Sequence, residues 1–234
     1  ITVPLIVGGG IRHANAFREA IDAGADVVVT GNVLEKNPAL VLLHGYGSNE
    51  EDLFSFASEL PEDHYVISVQ APYALQGGFG FAWYAIYFDA DENKFSDDQQ
   101  AKESIHLIAQ FLDEISSKLP IDKQKISLIG FSQGAILSYG MAFTYPEKIS
   151  KIVALSGYFN EKLLPESFDI NKMQHIKFFA SHGSVDQVIP VEWARKTQPY
   201  IEKLGLSITY KEYPVGHGVA PQNFWDFKNW LEQN

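Results

Sequence analysis

The feature that most narrows what this chain can become is Gly130-Phe131-Ser132-Gln133-Gly134, a G-x-S-x-G pentapeptide between two runs of different period. Residues 125–129 before it are β-branched and apolar, and residues 135–145 after it suit a helix. A serine at such a strand-to-helix turn is forced into a strained backbone conformation, and the flanking glycines leave room for crossing chain segments. The strain holds the hydroxyl up at the carboxyl end of the strand, where a histidine can reach it. The plain alternative is a glycine-rich turn with a capping serine, and the pentapeptide alone does not decide between them.

Chain order supplies the test, because in this architecture an acid and then a histidine follow the serine. Residues 176–180 read as a strand and run into a loop that carries Asp186. Residues 207–213 alternate like a strand and run into Pro214-Val215-Gly216-His217-Gly218. Ser132, Asp186 and His217 therefore all follow strands, on the rim where open α/β sheets place their ligands. Each has an ordinary reading as well. Asp186 could cap the helix starting near Pro190, and His217 could be an exposed loop histidine. Three such coincidences in the required order favour a catalytic triad.

An oxyanion site is the remaining requirement. Residues 39–43 are wholly apolar, long enough for a buried strand, and end in His44-Gly45-Tyr46-Gly47-Ser48. The glycines let backbone amides turn inward, so the Tyr46 and Gln133 N–H groups are the expected donors. Ser48 and Glu51 fit a capping box opening a helix to about Leu60.

These motifs resemble those of the phospholipase/carboxylesterase family of α/β-hydrolases, which includes acyl-protein thioesterases and small bacterial carboxylesterases. The likeness runs from about Asn37 to Asn234. It rests on the His44–Ser48 segment, on Ala71-Pro72-Tyr73 through Gly77-Gly78 to Trp83-Tyr84, and on the serine pentapeptide. His182-Gly183-Ser184-Val185-Asp186-Gln187-Val188-Ile189-Pro190 and Gly216-His217-Gly218 complete it. The resemblance implies Ser132 as nucleophile, His217 as base and Asp186 as its orienting acid. It also implies that Trp83 and its neighbours line the acyl side of a cleft. Gly77, Gly78 and Gly80, with Phe79, Phe81 and Trp83 as substrate-binding rings, suggest a mobile lid.

With 234 residues, 46% of them hydrophobic, the chain can bury one sizeable core. No apolar run approaches the roughly 20 residues that cross a membrane, so no stable membrane insertion is expected. Zero cysteines exclude a disulfide framework and a thiol nucleophile, and fit a cytoplasmic location. The formal charge of −11 disfavours nucleic acid and anionic surfaces as partners. Seven histidines show no metal-ligand spacing, so neither metal nor cofactor is expected. Residues 97–119 read as a long amphipathic helix, with Ile105, Ile108, Phe111, Leu112 and Ile115 at helical spacing. Residues 222–232 read as a final one.

The first 36 residues stand apart. Residues 3–10 form a strand pattern ending in Gly8-Gly9-Gly10, residues 13–23 suit a helix, and residues 25–32 suit a second strand. This piece resembles the last two strands of the (βα)₈ barrel of geranylgeranylglyceryl phosphate synthase-like prenyltransferases. There, glycines matching Gly9, Gly10 and Gly31 would bind a phosphate through backbone amides. Six βα units are missing, so the barrel cannot close. It has neither the basic start nor the cleavage region of a signal peptide.

The expected architecture is thus an α/β-hydrolase domain over 37–234, with a mostly parallel sheet and helices on both faces. A βαβ appendage over 1–36 would add strands to its edge, with Val27-Val28-Val29 antiparallel to the strand at Leu40. The expected activity is serine carboxylesterase action on small-molecule or acylated esters, thioesters included, and a homodimer stays open. The alternative is a phosphate-binding or prenyl-transfer remnant carrying a non-catalytic hydrolase scaffold.

Overall fold

The all-apolar run at 39–43 lies at the heart of a seven-stranded sheet. The computed structural model describes residues 5–8, 36–88 and 94–234. Along the chain the sheet strands are β1 (Leu5–Gly8), β2 (Asn37–Leu43), β3 (Tyr65–Val69), β4 (Ile121–Phe131), β5 (Lys151–Leu155), β6 (Lys177–Gly183) and β7 (Ile208–Tyr213). Their spatial order is β1-β3-β2-β4-β5-β6-β7, parallel throughout except for β1, which pairs antiparallel with β3.

Both faces of β2 are covered, which is why its sequence is apolar without alternation. Val41 and Leu43 face one layer with α2 (Asp98–Lys118) and α3 (Gln133–Thr144). Leu40 and Leu42 face the other, with α1 (Glu51–Phe54) and α6 (Pro221–Gln233), where Phe224, Phe227 and Leu231 pack. Two further helices, α4 (Val191–Arg195) and α5 (Thr197–Lys203), precede β7. Burying each such leucine or valine is worth about 1.5–3 kcal/mol. The loops at the carboxyl ends of β2 and β4 therefore stand on the best-anchored part of the molecule.

The long helix at 97–119 forms as expected, capped by Asp97, whose side chain accepts from the Gln100 amide. Its stripe Ile105, Ile108, Leu112 and Ile115 is buried. The helix expected from Ser48 to Leu60 does not form in that way. Asn49, not Ser48, accepts from the Glu51 amide, while the Ser48 hydroxyl donates to Asp52. After Phe54 the chain continues in i→i−3 turns, with Ser55, Phe56 and Ala57 each bonding three residues back.

The sheet edge also differs from expectation. β2 is flanked by β3 on one side and β4 on the other, so no strand from 27–29 can lie beside Leu40. The edge position is instead taken by β1 against β3, with Leu5 opposite Val69. Residues 27–29 themselves, like Gly9, Gly10 and Gly31, lie outside the described residues.

Candidate active site

The chain reverses its direction of strand addition between β2 and β4, and this leaves a crevice at their carboxyl ends. Ser132 sits at its centre. Its φ of 53° and ψ of −112° place a non-glycine residue where side chains are strained, at a cost of about 1–3 kcal/mol. The turn is held by the Ser132 amide donating to the Leu155 carbonyl and by α3 starting at Gln133. The glycine requirement is steric. A Cβ on Gly134 would lie 2.0 Å from the Leu43 carbonyl oxygen, and one on Gly130 would lie 2.3 Å from that of Gly134.

Around this serine the expected groups converge. The His217 Nε2 lies 3.0 Å from the Ser132 Oγ, and its Nδ1 lies 2.7 Å from Asp186 Oδ2. The Phe131 ring packs against the imidazole at 5.0 Å. Asp186 is both a cap and a partner. Its Oδ1 accepts from the Val188 and Ile189 amides at 2.8 and 3.0 Å, which leaves Oδ2 for the histidine. Burial alone would push this carboxyl up, but the His217 hydrogen bond and the two amides outweigh it and hold the group below its ordinary value. It stays a carboxylate.

Tyr46 and Gln133 line the same cavity as Ser132 and His217. Gly45, just before Tyr46, packs directly on Phe131 and Ser132. Among the described residues neither the Tyr46 nor the Gln133 amide donates to a backbone carbonyl. Two amides without a backbone partner, Gln133 at the start of α3 and Tyr46 in the turn after β2, are of the kind a developing oxyanion requires.

The loop from Ala71 to Tyr84 corrects the lid and substrate-ring expectations. Trp83 is 2% exposed and lies under the site, not in the cleft. Its indole N–H donates to the His44 carbonyl and its amide donates to Gln133 Oε1. Gln133 Nε2 in turn donates to the Tyr84 carbonyl. Phe81 pairs with the turn after β2, donating its amide to the Ser48 carbonyl and accepting from the Gly47 amide. Phe79 is 75% exposed, and none of these three rings lines the cavity. The loop is fastened to the turn that carries Tyr46, so it buttresses that turn instead of capping the cavity. The physical reason is pairing with Ser48 and His44, distant in sequence and invisible to local pattern.

The cavity of about 660 Å³ is walled partly by residues of the quoted motifs, Tyr84, Val188 and Ile189, and otherwise by residues outside them. Tyr84, Tyr158, Phe159, Trp193 and Tyr200 line it, together with Ile136, Val188 and Ile189. The one available signal was the aromatic pair Tyr158-Phe159 just past the carboxyl end of β5. Three further residues, carrying no expectation from the sequence, brace the Asp186 and His217 loops. His182 is 1% exposed, donates from Nε2 to the Ile189 carbonyl at 2.8 Å and lies 3.3 Å from Asp186 Oδ2. The Ser156 hydroxyl donates to the Gly218 carbonyl at 3.2 Å. Gly183 lets the histidine loop descend onto β6, since a Cβ there would lie 2.1 Å from the Gly216 oxygen. Among the described residues no three His, Asp or Glu side chains converge as metal ligands, and no helix is long and apolar enough to cross a membrane.

The sequence model of the phospholipase/carboxylesterase family matches residues 24–234. The chain belongs to that family. As a member it is a serine hydrolase of the α/β-hydrolase fold, in a family of ester-hydrolysing enzymes. Acyl-protein thioesterase 1 of Candida albicans is 26% identical over 219 residues, covering 85% of this chain and 92% of the relative. The lysophospholipase-like protein 1 of Mus musculus is 24% identical, covering 82% and 85%. The solved carboxylesterase of Bacillus cereus has the same fold, with a TM-score of 0.70 at 21% identity, covering 85% of this chain and 92% of that one. A second match, to the PcrB family, covers residues 2–44 and overlaps the first match across the boundary expected at 36.

Proposed function

We propose that the enzyme hydrolyses carboxylic esters, and thioesters by the same chemistry, through an acyl-serine intermediate on Ser132. The observation that carries this reading is the continuous line from Ser132 Oγ to His217 Nε2 to Asp186, at 3.0 and 2.7 Å, on a strained strand-to-helix turn. As Oγ attacks the carbonyl carbon, its proton passes to His217 Nε2, and Asp186 holds the imidazole with Nδ1–H toward it. The former carbonyl oxygen becomes an oxyanion facing the Tyr46 and Gln133 amides. His217 then protonates the departing alcohol or thiol. Water, deprotonated by the same nitrogen, releases the acid and restores Ser132. The substrates are small-molecule or acylated esters, and a cysteine-free chain suits the cytoplasm.

Labelling with a fluorophosphonate probe and steady-state kinetics test this together. Ser132→Ala should abolish labelling and lower kcat by about 10⁴–10⁶, since triad members act as a unit. Asp186→Asn should cost somewhat less, on the order of 10⁴. A Ser132→Ala protein that keeps more than about a tenth of the activity would sink the assignment.

A further inference from the structure

Five aromatic side chains, Tyr84, Tyr158, Phe159, Trp193 and Tyr200, wall the cavity beside Ser132. Four of them come in contacting pairs. Tyr158 and Trp193 meet edge to face at 5.2 Å and 70°, and Phe159 and Tyr200 lie 4.4 Å apart. Trp193 is 42% exposed, so part of its ring is unclaimed by protein. Burial pushes the Tyr84 phenol up, and burial with the nearby Asp98 charge does the same for Tyr158, so both hydroxyls stay neutral. The remaining wall mixes aliphatic side chains, Ile86, Ile136, Val188 and Ile189, with charged ones. Asp98 and Lys162, paired at 3.6 Å, also line the cavity, as does Lys196, which forms no ion pair among the described residues. A long alkyl chain laid along this wall would strip water from those charges with nothing in return. A compact ring has edges for the aromatic faces and a face for the Lys196 ammonium.

We propose that the preferred substrates are small esters carrying an aromatic ring, an inference that rests on the hydrolase reading above. Ring-on-ring contact adds about 0.5–1.5 kcal/mol beyond buried area, equivalent to roughly two- to twelvefold in kcat/KM.

The experiment uses matched pairs in which the ring is insulated from the carbonyl and the leaving group is not itself aromatic. Methyl 3-phenylpropanoate is compared with methyl 3-cyclohexylpropanoate, and 2-phenylethyl acetate with 2-cyclohexylethyl acetate. Hydrolysis by the full chain is followed by pH-stat, and each rate is divided by the rate with hydroxide alone. The saturated ring exposes more apolar surface, so plain hydrophobic burial predicts a phenyl-to-cyclohexyl ratio below one. Aromatic recognition predicts a ratio above about two in the acyl series or the alcohol series, and the series that shows it identifies the side on which the ring sits. Trp193→Leu keeps an apolar surface but removes the ring, and should bring that ratio to one or below. Ratios at or below one in both series overturn the proposal, as does a high ratio that Trp193→Leu leaves untouched. Hydrolysis of small acetates without ring preference overturns it while leaving the esterase reading intact. Failure to hydrolyse any ester or to take up fluorophosphonate defeats both.

Discussion

The side chain of Gln133 offers the sharpest separation of positioning from chemistry. Gln133 lines the cavity at the start of α3 yet is only 2% exposed, and its carboxamide is bonded within the fold. There Oε1 accepts from the Trp83 amide at 3.0 Å and Nε2 donates to the Tyr84 carbonyl at 2.8 Å. Gln133→Leu keeps the volume and deletes both bonds, stranding one buried donor and one buried acceptor. Each stranded group costs about 1–3 kcal/mol, so unfolding free energy should drop by roughly 2–6 kcal/mol. A domain of ordinary stability, about 5–15 kcal/mol, survives that loss in most of the range. The kinetic consequence follows from the same atoms. Trp83 also donates to the His44 carbonyl, two residues before Tyr46, so the carboxamide joins the two proposed oxyanion donors through one ring. Releasing it should lower kcat by about ten- to a thousandfold, the upper bound being outright loss of one donor, with KM little changed. Urea denaturation and initial-rate kinetics on the same preparation read both quantities. A variant as stable as wild type within about 0.5 kcal/mol, with kcat intact, would refute the argument.

Tyr46→Phe keeps the backbone amide and should be nearly silent. Tyr46→Pro removes that amide and should cost about 3 kcal/mol of transition-state stabilisation, with circular dichroism as the folding control; equal losses from both would assign the role to the phenol. His44 should make stability fall on the acid side of neutrality. Burial lowers its pKa, partly offset by the Gly45 carbonyl and the Asp52 charge, so as pH drops below the ordinary histidine value of roughly 6.5 the unfolded chain takes up the proton first. Urea midpoints should therefore be flat above that value and decline below it, by up to about 1.4 kcal/mol per pH unit from this group. His44→Gln can accept from Ala71 and donate to Gly45 without titrating, so an undiminished decline in that variant would clear His44 of the effect.

The meeting of Ser132, Asp186 and His217 was legible because each lies in a local pattern: a strand run, a turn with glycine, and then the polar side chain. Ser132, Asp186 and His217 each obey that rule, and parallel strands carry all three to one rim. The misread parts depend on pairings across the chain. Trp83 looks like a cleft residue in a glycine-rich loop, and only the bonds to His44 and Gln133 reveal it as a buttress. Tyr158, Phe159, Trp193 and Tyr200 belong to irregular chain and to short helices, where no periodicity distinguishes a cavity wall from ordinary packing. The edge strand was misassigned for the same reason. Adjacency in sequence favoured residues 27–29 beside β2, whereas β2 already had two partners.

The descent of the histidine loop onto Gly183 has a consequence for timing. His217 and Ser132 are 85 residues apart, and the loop reaches the serine only after β7 has paired with β6 at the sheet margin. The β2–β4 contacts span as long a separation, with Leu40 opposite Ser127, but the histidine loop must in addition wait for β5, β6 and β7 to extend the sheet. A refolding molecule should thus complete the β2–β4 crevice and seat Ser132 while the His217 loop is still undocked. Recovery of esterase rate would then lag recovery of tryptophan burial, with Trp83 reporting the centre of the sheet and turnover reporting its last strand.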